Sequence, residues 1–407
     1  MYDILPLTTV EDLERLRPQW AALYESSRVP NPFAHPDWQI AWARHFVDPS
    51  DLYVLAIRSG NELVGVAPFF RRSVSLVGGR ITCLRMLGGG RKSQLTEMPQ
   101  VLAAPRQSRS VLRAVVGHLC ADARDWDWVE IEFGPTQGWF EREWIPLHGV
   151  GSGSVAMHKG SRAFVVLPLA PTWEELRGHL KRNVKESIRR GANRLGREAH
   201  EWRIVEPDAS EQSLERSLAT LIALHKARAR LTGTEPHPDY FENRREEAFL
   251  YDVGRRLHPA GVFTPLVLEV DGEEVAARLV LDTRDAAFFS VSGSDPAWWR
   301  YSAGTTLLAA ALRRAIERGE TIANLSHGAD VSKLRWSEEL QYAQSFLLVG
   351  ERLRSRVAFA AFWLLRAEYV RRDQRRRHIG RQRPAEFPEP QALPHEPPVV
   401  LPEFVLD

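Results

Sequence analysis

The sequence predicts an α/β protein made of two similar halves. Short apolar runs of strand character alternate with stretches whose apolar residues recur at helical spacing. The order helix, hairpin, strand, helix, strand occurs in residues 1–160 and again in 161–350. The 407 residues exceed what one small core organises, so two domains are expected. No short sequence period is present, so the repeat lies at the scale of a domain.

The elements follow in order. Asp12–Ser26 places Leu13, Leu16, Trp20 and Leu23 on one helical face. Pro36–Phe46 is a second helix, with proline at its start and Trp38, Ala41, Trp42 and Phe46 apolar. Two apolar runs flank Ser59-Gly60-Asn61 as a hairpin. Arg80–Met86 and Gln100–Ala104 read as strands, Ser108–Ala123 as a helix, and the run ending at Gly134-Pro135 as a strand. In the second half, Arg162–Leu169 is a strand and Thr172–Arg197 one helix, its Thr172 and Glu175 matching a capping box. Gln212–Leu231 is another helix. Three strands follow, turned at Asp271-Gly272 and near Asp282–Asp285. Tyr301–Gly319 is a helix and Thr321–Gly328 a strand. Residues 351–380 form a basic amphipathic helix, apolar at Val357, Phe359, Phe362 and Trp363; it is either docked on the second half or interfacial. Prolines break all periodicity in the tail, 381–407.

Composition narrows the class. Lys+Arg 54 against Asp+Glu 52 leaves a net charge of +2, which names no partner. Arginines number 48 and lysines 6. Cys83 and Cys120 are too few for a disulfide framework or a cysteine-rich zinc site, so no metal is expected and a reducing cytoplasm fits. The acidic N-terminus does not read as a signal peptide, and no run of 18 apolar residues predicts a transmembrane helix.

The most informative stretch is SVSGSDPAWWRYSAGTTLLAAALRRAIERG. A strand enters a short loop, and Tyr301-Ser302-Ala303-Gly304 opens a helix. Free amides at such a helix start bind anions, and Gly304 either lets a phosphate approach or serves helix packing. Residues 177–197 carry eight basic side chains and one acid, Glu186, a net of +7. Lys181, Lys185 and Arg189 share one face at i, i+4, a footprint for tRNA or anionic lipid, or else a solvated surface. The loop LGGGRKSQLTE lacks the ending of a nucleotide P-loop, which excludes ATP; it is a flexible loop at a cleft or a lid over the acceptor. Pro32, Phe33, Trp38 and Trp42 read as core. His327, beside Gly328, reads as a base or a polar wall.

The order of APFF after a hairpin, LKRNVKESIRRGANRLGRE, LHKARARLTG, LEVDGEEVAARLVL, YSAGTTLLAAALRRAIERG and HGADVSKLRW resembles bacterial acyltransferases associated with cellulose biosynthesis. These belong to the GNAT superfamily of N-acetyltransferases and are related to Fem-type aminoacyl transferases. The resemblance spans about residues 20–350 and rests on the order of motifs. It implies two tandem GNAT-like domains with mixed, mostly antiparallel sheets, the second binding an acyl-CoA donor such as acetyl-CoA. Tyr301, Ser302, Gly304, Thr305 and Thr306 fall where the donor pyrophosphate would meet the helix start. His225 and Arg228 would lie near the acceptor, His225 as a base. Lys333 would hold an oxyanion or a phosphate. Asn324 stands where the family usually has Asp, and Ser332 where it usually has Tyr.

Three functions are consistent with these residues. The first is acyl transfer from acyl-CoA to an amine or hydroxyl of a small-molecule or envelope-precursor acceptor. The second uses an aminoacyl-tRNA donor, with the basic helix as its support. The third is a non-catalytic scaffold, which the Asn324 and Ser332 departures support. The expected location is the cytoplasm, free or at the inner face of the membrane.

Overall fold

The computed structural model describes residues 2–27, 31–76, 79–89, 95–122, 125–135, 155–231 and 237–364. Gly90, Arg91 and Lys92 of the glycine-rich loop, residues 365–380 of the expected basic helix and the 381–407 tail lie outside them. The first half runs through β1 (Asp3–Leu7), α1 (Val10–Ser27), α2 (Pro36–Phe46), β2 (Leu52–Ser59), β3 (Glu62–Leu76), β4 (Gly79–Met86), β5 (Leu102–Ala103), α3 (Ser108–Ala121) and β6 (Trp128–Phe133). Strand β7 (Val155–Pro168) leads into α4 (Trp173–His179), α5 (Arg182–Arg197), β8 (Trp202–Val205), α6 (Glu211–Ala229) and α7 (Arg244–Leu257). Then come β9 (Phe263–Val270), β10 (Glu273–Asp282), β11 (Ala286–Ser294), α8 (Ala303–Glu317), β12 (Ile322–His327), the one-turn α9 (Val331–Leu334), β13 (Leu340–Val349) and α10, residues 353–364. No helix among the described residues is long and apolar enough to cross a membrane.

Local chemistry explains these elements. The ring of His35 accepts from the Asp37 amide and Pro36 opens α2. Asp271 and Gly272, at φ 51° and 81°, make the tight turn between β9 and β10 that a two-residue hairpin requires. Thr172 caps α4, its hydroxyl accepting from the Glu175 amide at 3.3 Å. The single helix expected over 172–197 is two. Leu180 and Lys181 adopt extended backbone, because the Leu180 side chain turns into the core of the second half.

All the described strands form one sheet, in the order β1-β2-β3-β4-β6-β13-β7-β12-β11-β10-β9-β8, with β5 pairing β3. Each half contributes four successively antiparallel strands, β1–β4 and β8–β11, and then a parallel one reached through a helix: α3 between β4 and β6, α8 between β11 and β12. The closing strands are exchanged. β7, which follows the first half, pairs with β12; β13, which follows the second, pairs with β6. Residue 160 therefore lies inside a strand that belongs to the second half's sheet.

The largest core is common to both halves. Trp38 of α2 meets Phe249 of α7 edge-on at 5.3 Å, and Phe33 meets Phe288 of β11 at 6.2 Å. Pro32, Phe33, Trp38 and Trp42 are buried, as core residues should be. A second core packs α4, α5 and α8 on the other face of the second half's sheet. Helix α10 docks on the first half, not the second. Phe359 and Phe362 pack on Trp128 at 5.7 and 5.1 Å, and the Ser355 hydroxyl donates to Asp127 at 2.7 Å. The strand exchange accounts for this, since β13 delivers the chain beside β6.

Candidate functional site

The site begins where two strands part. β11 and β12 pair only from Ala286–Phe288 to Ile322–Asn324. Beyond that, β11 stays with β10 and β12 with β7. A bulge in β11 sets Ser292 opposite Arg278 but Phe289 opposite Val280, and Ser326 takes φ 75°. Between the strands opens a cleft of about 710 Å³, lined by Phe289–Ser294 on one side and Leu325–Gly328 on the other. Two strand edges thus face it without pairing to each other. In the first half β4 and β6 also pair over three residues only, but there the chains stay in contact beyond the pairing. The Glu132 amide donates to the Met86 sulfur at 3.2 Å.

One end of the cleft is the start of α8. A 3-10 turn, Pro296–Tyr301, is capped by Asp295 and leads to Ser302 at φ 56°. The Ser302 carbonyl accepts from the Thr305 and Thr306 amides, at 2.9 and 3.0 Å, but its hydroxyl caps nothing. The Ala303 and Gly304 amides have no acceptor among the described residues. A Cβ on Gly304 would meet no protein atom within 4 Å, so this glycine does not serve packing. Ser302, Gly304 and Thr305 line the cleft, and the Thr305 hydroxyl accepts from Arg335 at 2.9 Å. Two of the five expected donor residues do not line it. Tyr301 is buried beneath the turn, its hydroxyl joined to Glu198, Arg300 and His200. Thr306 is buried against α5 near Gly191.

At the vertex lies Glu97, which the sequence reading missed. It comes from the first half, just past the glycine-rich loop, and is buried. Its Oε1 accepts from Ser290 of β11 at 3.0 Å and from Ser326 of β12 at 2.8 Å. Its Oε2 lies 3.8 Å from Nδ1 of His327, whose side chain is 39% exposed. Burial pushes the Glu97 carboxyl up, but His327 and the two hydroxyls outweigh it and hold the group below the usual glutamate range. A carboxylate, two hydroxyls and an imidazole therefore meet where the strands diverge.

The other expected residues divide. His225 lines the cleft but offers no free base. Nδ1 lies 3.0 Å from the Ser292 carbonyl, and Nε2 lies 3.1 Å from that of Pro238 and accepts from the Tyr240 amide at 3.2 Å. Burial lowers its pKa. It ties α6 to β11, where a Cβ on Gly293 would strike the His225 amide at 2.3 Å. Asn324 is buried and faces its own chain, its Oδ1 accepting from the Ser326 amide at 2.9 Å and so fixing the kink. Lys333 lines the cleft, but its ammonium is directed at the carbonyls of His327 and Gly328 and at Asp330, 3.2 Å away. It staples the exit of β12. Ser332 donates to the same Asp330.

The three basic residues of the expected stripe are engaged as well. Lys181 pairs with Glu338 at 2.5 Å, Lys185 donates to the Gly178 carbonyl at 2.6 Å, and Arg189 pairs with Glu186 at 2.8 Å. Ser187 of α5 reaches the cleft; Arg182, Arg190 and Arg194 are exposed, Arg190 pairing with Glu186 at 2.9 Å and Arg194 donating to the Arg300 carbonyl. Arg228 lines the cleft together with Arg278, His237 and Tyr240. An arginine inside the apolar strand AARLVL was the one sequence signal for Arg278.

Comparisons with known proteins bear on the fold. Residues 182–334 match the family model described as an acetyltransferase (GNAT) domain. A search of curated protein sequences finds no match. Among solved structures the chain is similar to FemX, with TM-score 0.58 and 10% identity over 87% of this chain and 99% of that one. It is also similar to a conserved protein of unknown function from Bacteroides thetaiotaomicron, with TM-score 0.50 and 14% identity over 86% and 100%. A tandem GNAT protein from the clavulanic acid biosynthesis pathway shows TM-score 0.43 and 13% identity over 86% and 99%. At these identities FemX and the Bacteroides protein speak to the fold alone. Residues 182–334 thus carry an acetyltransferase (GNAT) domain, which makes the chain a transferase, and both halves of the sheet share one order of strands and helices.

Proposed function

We propose that the protein transfers an acyl group from acyl-CoA, acetyl-CoA being the simplest donor, to an amine or hydroxyl of a small-molecule or envelope-precursor acceptor. The observation that carries this reading is the parting of β11 and β12 beside the uncapped start of α8. An extended donor arm with amide groups complements two open strand edges. Its pyrophosphate suits the free amides at Ala303 and Gly304, where the helix dipole favours negative charge. Arg335, half-buried beside Thr305, adds a cation at the same end. The resemblance to acyltransferases associated with cellulose biosynthesis supports an acceptor destined for the cell envelope, met in the cytoplasm or at the inner face of the membrane.

The reaction makes one bond and breaks one. The acceptor nitrogen attacks the thioester carbonyl carbon, the C–N bond forms, and the C–S bond breaks to release the CoA thiolate. His327 takes the proton that the amine must lose and returns it to the thiolate. Glu97, its carboxylate 3.8 Å from the ring, offsets the charge that the ring gains as it takes the proton. Lys333 and Asn324 act by shaping the β12 exit on which His327 stands.

A second reading, an aminoacyl-tRNA donor, draws on the exposed arginines of α5 beside the cleft mouth. Calorimetric titration with acetyl-CoA and with aminoacyl-tRNA separates the two. The first reading expects one acetyl-CoA per chain. Binding of tRNA alone, falling steeply with salt, would replace it by the second.

A further inference from the structure

We propose that the outward face of α10 seats on an anionic lipid bilayer and holds the chain at its surface. Helix α10 is apolar on two opposite sides. One side, with Ser355, Phe359 and Phe362, docks on Asp127 and Trp128 of the first half. The other carries Leu353, Val357, Ala360 and Leu364, at the i, i+4, i+7, i+11 spacing of a single helical stripe. Leu353 is 77%, Val357 61% and Leu364 70% exposed, and Ala360 is exposed too. The other exposed large apolar residues among the described ones, Leu5, Trp202, Trp299, Val331 and Tyr342, stand on separate elements. Single residues of that kind are ordinary surface. A continuous row, on a helix already docked by its other side, marks a contact surface.

Charge decides what covers it. At about 100° per residue, Arg354 and Arg356 fall on the two flanks of the stripe, and both are exposed. Arg354 donates to the Arg80 carbonyl at 2.6 Å and lies 3.7 Å from Asp127, yet 58% of its side chain stays open. Glu351 is the only acid between 351 and 364. From 365 to 380 the sequence adds six arginines against Glu368 and Asp373. An apolar stripe between arginines matches the layers of a bilayer surface: acyl chains receive leucine and valine, and anionic headgroups receive guanidiniums. A second copy of the chain fits less well. Pairing two such faces sets arginine against arginine, and four residues a side fall far short of the roughly 20–30 that each partner of a stable dimer contributes.

The strand exchange gives this surface its place. β13 delivers α10 onto the first half, beside β6, whereas the cleft opens between β11 and β12 of the second. No residue of α10 lines the cleft, so lipid contact and acyl transfer use separate side chains and can be tested apart. The inference stands whether or not the acyl-transfer reading holds.

The test is co-sedimentation of the full chain with vesicles of phosphatidylcholine alone and of phosphatidylcholine and phosphatidylglycerol in equal parts. The chain should bind the mixed vesicles at least ~tenfold more tightly, and added salt should weaken that binding. Val357→Gln together with Leu364→Gln, which changes no charge, should lower binding to the mixed vesicles by ~tenfold or more at an unchanged melting temperature. Val357→Leu should keep it. Arg354→Gln together with Arg356→Gln should shrink the preference for the anionic vesicles. No binding to the mixed vesicles overturns the proposal. So does binding that the Val357 and Leu364 pair of changes leaves intact, which would assign it to charge outside α10. A lower melting temperature in that variant would show that the chain itself covers the face. Self-association of the wild type that the variant loses would assign the face to a second copy. Either result overturns the proposal as well.

Discussion

Glu97, on the segment before β5 in the first half, accepts a hydrogen bond at 2.8 Å from Ser326, on β12 in the second. Its other donor, Ser290, stands on β11, so one carboxylate spans the two strands at the point where they part. The first half is thus more than a spacer, because it supplies the buried acid of the second half's cleft.

Replacing that acid should cost catalysis rather than donor binding. Glu97→Gln keeps the size of the side chain and removes its charge. If Glu97 offsets the charge His327 gains during the reaction, kcat should fall by ~100-fold or more, about 3 kcal/mol in the transition state, with CoA affinity unchanged. Glu97→Asp should recover part of the loss. Stopped assays of thiol release, with CoA titrations beside them, check this. A variant that loses CoA binding in step with turnover would make Glu97 a purely architectural residue.

Gly304→Asp separates fold from donor site. The new side chain meets open space, and a carboxylate in the first turn of α8 suits the helix dipole by roughly 0.3–1 kcal/mol. The melting temperature should hold or rise slightly. The same charge repels a donor pyrophosphate, so CoA affinity should fall by at least ~tenfold, about 1.4 kcal/mol. Unchanged affinity in the folded variant would place the phosphates elsewhere.

Much of this fold was legible in the sequence, and the reasons are local. Leu13, Leu16, Trp20 and Leu23 declare α1 by spacing, and Asp271-Gly272 declares a hairpin by its turn chemistry. The strand, loop and helix that lead into α8 were legible for the same reason, since they adjoin in the chain. What the sequence hid is what depends on distant pairing. The exchange of β7 and β13 leaves no local mark, and it moved α10 to the first half. Glu97 and Ser326 are 229 residues apart, and nothing in LTEMP signals a partner. Lys333 drew attention by its rarity, yet rarity says nothing about where an ammonium points.

A buried acid pair predicts how stability changes with pH. Burial, and then the neighbouring Asp282 carboxylate, raise Glu320 to about 8. The folded chain therefore holds a proton that the unfolded chain releases near pH 4.5. Stability should fall as pH rises from about 4.5 and level off above about 8. Glu320→Gln should flatten that slope in a series of melting curves. A slope unaltered in the variant would assign it to other groups.

The shared core predicts that both halves unfold together. Phe249 of α7 packs edge-on against Trp38 and Phe46 of α2. Phe249→Ala should cost ~3–5 kcal/mol. Scanning calorimetry should then show one transition moved to lower temperature. Two separated transitions would mean that the halves are independent domains.

The central claim is that the donor lies between β11 and β12, and amide hydrogen exchange with and without CoA tests it most directly. Occupation of the cleft should slow exchange along 289–294 and 325–328 and at the start of α8, and leave β4 and β6 unchanged. Protection confined to the first half, or no protection anywhere while CoA is bound, would contradict it.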